Sequence, residues 1–132
     1  LEEGRQLAKT VFELSYKNDA LGDPLINDDH AVALELVTEA ELAQIKDLTA
    51  RINRALQDLF LAANLILVDF KIEFGKTSDG QIILADEISP DTCRLWDKDT
   101  RDKLDKDRFR RDLGDVMAAY KEVLGRLENA RN

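Results

Sequence analysis

"LVDFKIEFGKTSDGQIILADE" (Leu67–Glu87) reads as two strands joined by a short turn. Which side of its first strand meets the core decides the fold. Strands send successive side chains to opposite faces, so Ile66, Val68, Phe70, Ile72 and Phe74 form one row. Leu65, Leu67, Asp69, Lys71 and Glu73 form the other. The first row is expected against a core, and the second becomes charged as it nears the turn. Gly75 and "SDG" (Ser78–Gly80) supply turn chemistry. Beyond the turn, Ile82, Leu84 and Asp86 share a face and Gln81, Ile83, Ala85 and Glu87 the other. Parity leaves the direction of Asp86 open, and a bulge would bring it round to Glu73.

Working outward, Thr38 opens a helix. "TEAE" (Thr38–Glu41) fits a capping box, and Leu42, Ile45, Leu48, Ile52, Leu56, Leu59 and Phe60 recur at helical steps up to a stop near Asn64. Upstream, "TVFELSYK" (Thr10–Lys17) alternates like a strand, and "NDALGDPLINDDH" (Asn18–His30) reads as a long loop rich in turn formers. Downstream, "ISPDTCRLWDKDTRDKLDKD" (Ile88–Asp107) is polar and irregular. A last helix is expected from about Lys106 to Leu127, burying Phe109, Leu113, Val116, Met117, Tyr120, Val123, Leu124 and Leu127. This order predicts an α+β domain, an antiparallel hairpin sheet covered by two long helices.

The chain has 132 residues, enough for one domain with its own core. A formal net charge of −8 argues against a nucleic-acid polymer as partner, because such binding depends on clustered cations. It leaves room for small phosphorylated ligands held by a few placed cations or a metal. No apolar run approaches a membrane span, and no signal peptide is visible. The single cysteine, Cys93, forms no internal disulfide, which points to a reducing cytoplasm. The opening "LEEGRQLAKTVFELSYK" reads as though cut from a longer chain.

Three clusters are candidates for chemistry. Paired carboxylates on neighbouring strands repel unless a cation lies between them, so Glu73 and Asp86 are candidate Mg²⁺ ligands, with Lys71 in the same row for an anionic substrate. The alternative is a solvated sheet face carrying a cross-strand salt bridge. Asp91 and Arg94 follow on a loop leaving the strand, where Arg94 either grips a phosphate or pairs with Asp91 or Asp97. Lys17, Asp19 and Asp23 form a polar cluster that a plain loop would also explain. Trp96 is expected as a packing anchor and Cys93 as a small buried residue. His30, the only histidine, cannot define a zinc site. Arg108, Arg110 and Arg111 open the final helix at the end of the macrodipole that disfavours cations, so an anionic partner would explain them.

"YKNDALGDPLIND", "LVDFKIEFG", "LADEISPDTCRLWDKDT" and "LDKDRFRRDLG", in this order, resemble the phosphoribosylaminoimidazole-succinocarboxamide synthase family, usually called SAICAR synthetase. The resemblance runs over almost the whole chain. It implies an ATP-dependent ligase of de novo purine biosynthesis that joins L-aspartate to carboxyaminoimidazole ribonucleotide (CAIR) through an acyl phosphate. It further implies a two-lobed, ATP-grasp or kinase-like fold of which this is the C-terminal lobe. By the same resemblance Lys17, Glu73 and Asp86 match nucleotide positions, with Glu73 and Asp86 on Mg²⁺. Asp23, Lys71 and Asp91 match positions lining the CAIR and aspartate region, Lys71 and Asp91 being the catalytic pair. Arg94 matches a cation for the CAIR phosphate, and Arg110 one reaching toward the substrates.

The family's N-terminal lobe is missing from these residues. The chain alone is therefore expected to be poorly active, to need that lobe, and to form homo-oligomers through uncovered apolar surface. Two rivals remain: another ATP-dependent carboxylate–amine ligase, against which "SPDTCRLWDK" speaks, and a non-catalytic interaction domain.

Overall fold

The structure, a computed structural model, describes residues 1–85, 92–105 and 116–131. The chain divides into two compact units, Leu1–Asp47 and Leu48–Asn132. Among the described residues their strands form three two-stranded antiparallel sheets and no continuous one, an α+β architecture.

In the first unit, β1 (Leu14–Ser15) pairs with β2 (Leu25–Ile26). The expected strand Thr10–Lys17 shrinks to two residues, and the expected loop Asn18–His30 contains β2 and the start of a short helix, α1 (Asp28–Ala33). Asn27 caps α1: its side chain accepts from the His30 amide, while His30 Nδ1 accepts from the Asn27 amide. The only histidine thus helps to start a helix. Ala31 and Leu42 are the buried apolar residues of this unit.

Helix α2 (Glu39–Ala62) opens as the sequence predicts. The Glu41 amide donates to Thr38 Oγ1 (3.1 Å), and the Thr38 amide donates to the Glu41 carboxylate (3.0 Å). The stripe holds at Leu42 and Phe60, which are buried, but Leu59 is largely exposed. Ala63 joins Phe60 in the inward direction, with Leu56 of the stripe packed beside them. The helix ends at Ala62, and Asn64 turns the chain with φ 59°, a left-handed conformation in which a short amide side chain is tolerated.

The second unit is built on β3 (Leu65–Phe70), which pairs antiparallel with β6 (Cys93–Asp97). The expected partner of β3, the strand just beyond the turn, instead forms its own hairpin: β4 (Phe74–Lys76) with β5 (Ile82–Leu84). Gly80, at φ 86°, makes that turn, and its amide donates to Thr77 O (2.9 Å). Gly75 lies inside β4, opposite Ile83, and is no turn residue.

The facing of β3 reverses the expected one as far as Leu67 and rejoins it at Phe70. Leu67 pairs with Leu95, but Asp69 pairs with Arg94, so Val68 is an extra residue. Such a bulge switches parity. Before it Leu65 and Leu67 face the core; after it Phe70 does. Their partners Asp97, Leu95 and Cys93 share that face, and Cys93 is buried as expected. Val68 is exposed, although alternation put it inside. Strand β6 was hidden within an irregular-looking segment because one of its inward positions carries the charged Asp97.

The core gathers Phe60, Ala63, Leu65, Cys93, Leu95, Leu104, Ala119 and Val123. The last two come from α3 (Val116–Arg131), whose inward residues follow four-residue steps through Ala119, Val123 and Leu127. Met117 and Leu124, expected inside, are exposed on the other side. Phe109, Leu113 and the start predicted at Lys106 lie outside the described residues. Burying a leucine such as Leu65 or Leu95 stabilises the fold by roughly 1.5–3 kcal/mol.

One polar knot ties the ends of these elements. Arg126 on α3 reaches Asp97 of β6 (2.7 Å) and Glu122 one turn earlier (2.8 Å). It also donates to Asn64 O (3.3 Å), which accepts from the Lys98 amide as well (3.0 Å). Asp97 further accepts from the amides of Thr100 and Asp99, each at 2.8 Å. The Thr100 amide, then the Arg126 guanidinium, lower its pKa from the ordinary 3.8 to about 2. A depressed carboxylate stabilises the fold above its unfolded pKa and ceases to do so once protonated in the folded state. Acid should therefore weaken the protein as pH falls from 3.8 to about 2, and Asp97→Asn should flatten that part of the curve. Chemical unfolding at stepped pH measures it; an unchanged slope in the variant would contradict the knot.

Candidate functional site

The bulge that buries Leu67 and Phe70 also turns Asp69 to the second face of the β3–β6 pair, opposite Arg94. There Arg94 Nη1 donates to Asp69 Oδ2 at 2.9 Å. Both side chains are about half exposed, 47% for Arg94 and 56% for Asp69. An ion pair so open to water contributes only ~0–1 kcal/mol to stability. A guanidinium carries five N–H donors in a planar fork, so bonding Asp69 and gripping an anion are compatible. Sequence spacing offered Asp91 or Asp97 as ion-pair partners for Arg94. The structure gives Asp97 to Arg126 and places Asp69 beside Arg94, while Asp91 lies outside the described residues. Asp69 was in view only as one of a charged row; the parity change that pairs it with Arg94 has no signal in the sequence pattern.

Behind Arg94, the same face carries Ile66 opposite Trp96. Trp96 is buried, as a packing anchor should be, with Lys103 Nζ 4.6 Å from its ring centroid. The other edge of β6 is covered by residues 102–105. The Asp97 amide donates to Asp102 O and the Leu104 amide to Leu95 O, each at 2.8 Å. The Leu95 amide itself donates to the carboxylate of Asp105, at 2.6 Å.

Lys71 and Glu73 occupy the three-residue link between β3 and β4, not one continuous strand with Asp69. The Lys71 amide donates to Thr92 O and the Ala85 amide to Glu73 O, each at 2.8 Å. The link is thus pinned at both ends, one to the approach of β6 and one to the exit of β5. Lys71 is exposed and Glu73 half-buried. Asp86, Asp91 and Arg110 lie outside the described residues, as do Arg108 and Arg111.

Lys17 and Asp23 belong to the first unit. Asp23 sits at φ 49° and closes its turn in three ways. Its carboxylate accepts from the Asn18 amide (2.7 Å), its carbonyl from the Ser15 hydroxyl (2.8 Å), and its amide donates to Asn18 O (3.1 Å). The plain-loop reading therefore accounts for one carboxylate oxygen of Asp23, with Lys17 beside this closed turn.

Among the described residues no group of three or more His, Cys, Asp or Glu side chains gathers as a metal cage. A magnesium ion that accompanies nucleotide phosphates needs only one or two carboxylates. Glu73, an acid in a backbone-pinned link, fits that smaller demand. No described helix is long and apolar enough to cross a membrane.

If the Asp69–Arg94 pair presents charge rather than holding the fold, Asp69→Asn should change unfolding free energy by no more than ~1 kcal/mol. Urea titration checks this. A loss several times larger would make the pair structural.

The sequence pattern of the SAICAR synthetase family matches residues 1–127. A phosphoribosylaminoimidazole-succinocarboxamide synthase of Finegoldia magna is 65% identical over 127 residues, which cover 96% of this chain and 55% of that protein. One of Dichelobacter nodosus is 62% identical over 128 residues, 97% of this chain and 54% of that protein. Among solved structures, a SAICAR synthetase (Type-2) in complex with ADP superposes with a TM-score of 0.91 at 50% identity, over 96% of this chain and 54% of that one. The SAICAR synthetase of Pyrococcus horikoshii gives 0.90 at 49% identity, over 98% and 56%. The chain spans about half the length of the curated relatives it matches.

Proposed function

The chain belongs to the SAICAR synthetase family, and on that premise we propose that it is the C-terminal lobe of an enzyme that joins L-aspartate to CAIR, driven by ATP. The outward placement of Arg94 carries this reading. A half-exposed guanidinium, held by a weak ion pair on a rigid strand, suits a doubly charged phosphate that can share or displace Asp69. Arg94 takes the CAIR phosphate. By the family resemblance, Lys71 takes the carboxylates of CAIR and aspartate, Asp91 and Asp23 serve the same substrates, and Arg110 supplies a further cation.

Lys17 and Glu73 serve the nucleotide, in keeping with the ADP bound to one structural relative. Glu73 and Asp86, the residue following Ala85 in the sequence, would hold Mg²⁺. The ion, when bound, neutralises phosphate charge that would otherwise oppose transfer. An oxygen of the CAIR carboxylate attacks the γ-phosphorus of ATP and ADP leaves, giving an acyl phosphate. The aspartate amine attacks the acyl carbon, phosphate departs with the carbon–oxygen electron pair, and the amine loses a proton, leaving the amide. Lys71 and Arg94 contribute mainly by position, holding two anions close enough to react.

The rest of the polypeptide supplies the other wall of a two-lobed, ATP-grasp or kinase-like site. The exposed apolar side chains Met117, Leu124, Ile83 and Leu84 favour assembly with that lobe or a second copy. A purine-pathway ligase of this kind works in the cytoplasm.

In the complete polypeptide, Glu73→Gln should lower ATP- and aspartate-dependent SAICAR formation by ~10²-fold, with folding preserved. A variant as active as its parent would remove Glu73 from the nucleotide site. The 132-residue chain alone should give negligible turnover. Robust SAICAR formation by it would show that the other lobe is dispensable.

A further inference from the structure

Asp105 is fully buried, the one ionisable side chain among the largest completely enclosed residues described. A buried carboxylate is costly unless it accepts strong hydrogen bonds. Here it replaces a backbone acceptor. Residues 102–105 run along the free edge of β6 as a partial third strand, with Trp96 bridged to Lys103 and Leu95 O accepting from the Leu104 amide. The regular antiparallel pattern would send the Leu95 amide to a main-chain carbonyl. It donates instead to Asp105 Oδ2 at 2.6 Å, a short bond. Leu95 is the residue after Arg94, and its own side chain is 1% exposed in the core. Its backbone is therefore fixed from three directions: by β3, by the core and by Asp105.

We propose that Asp105 is a positioning residue for the anion site: its buried carboxylate fastens the Leu95 amide and so fixes the strand segment that presents Arg94 opposite Asp69. The proposal rests on the reading of Arg94 as the cation for the CAIR phosphate. Without the Asp105 bond the Leu95 amide loses its acceptor, the 94–95 peptide can rotate toward water or another partner, and the guanidinium loses its fixed origin. Displacing a binding group by about 1 Å can cost up to ~10²-fold. A surface arginine with many rotamers should lose less, because its side chain can follow.

The test uses the complete polypeptide and steady-state kinetics with CAIR, L-aspartate and ATP, corrected for folded fraction by circular dichroism. Asp105→Ala should raise KM for CAIR by about tenfold, leaving KM for ATP and kcat within a small factor. Asp105→Asn, which keeps an acceptor oxygen for the Leu95 amide, should restore most of the CAIR affinity. A role confined to stability would lower the melting temperature of Asp105→Ala and leave the CAIR KM of the folded enzyme unchanged, which would overturn the proposal. Should Asp105→Ala not fold, Asp105→Glu carries the same prediction, since it retains the charge and moves the acceptor by one methylene. Arg94→Ala separates the two readings. If it raises the CAIR KM and the Asp105 variants do not, the positioning role fails alone; if it leaves that KM unchanged, the assignment of Arg94 and the proposal fall together.

Discussion

One extra residue in a strand governs the second unit. Val68 has no partner of its own on β6, and the ladder steps from Leu67–Leu95 to Asp69–Arg94 across it. On one side of that step the core receives Leu65 and Leu67; on the other it receives Phe70. Unbroken alternation continued from Leu65 and Leu67 would send Asp69 and its neighbour Lys71 into the apolar layer. Burying an unpaired carboxylate there would cost several kcal/mol or force its protonation. The bulge reconciles an apolar beginning and a charged end within six residues. It also hands the charged end to the solvent side, where a ligand can reach it.

The two ends of the β3–β6 pair then do different work with the same kind of contact. At Asp97 the carboxylate is buried, accepts two backbone amides and meets an arginine from α3, and its pKa falls to about 2. At Asp69 a single arginine bond lies half in water. The first arrangement joins the end of α2, the turn after β6 and α3 through Asn64 and Arg126. The second leaves a half-exposed cation on a stiff strand. Between them, residues 102–105 lock the outer edge of β6, so that Arg94 stands on backbone held from both sides. Anchoring at one end and presentation at the other is the division of labour expected of a binding element placed on a rigid scaffold.

Local chemistry was the legible part of this sequence. The Thr38–Glu41 capping box, the left-handed Asn64 and the Gly80 turn each depend on residues a few positions apart, and each stands as its residues require. The four segments resembling the SAICAR synthetase family named the ancestry, since their combination is specific where any one is short. Pairing was not legible. Nothing in the alternation of Leu65 to Glu73 marks Val68 as supernumerary, and the inward Asp97 disguised β6 because its burial depends on Arg126, 29 positions later. The acids proposed for magnesium illustrate a different limit. Glu73 lies where the link between β3 and β4 puts it, while Asp86, Asp91 and Arg110 lie outside the described residues, so their convergence stays a proposal of chemistry.

Giving Val68 a partner, by inserting one alanine between Arg94 and Leu95 in the complete polypeptide, is the most direct test of the governing constraint. One-to-one pairing through Val68 restores plain alternation, and Asp69 must then face the core or Leu65 and Leu67 must leave it. Urea unfolding should show a loss of more than ~3 kcal/mol, or no cooperative transition at all. An insertion variant that unfolds at its parent's midpoint and keeps its affinity for CAIR would contradict the account, because the strand pair would then need no bulge to bury one end and present the other.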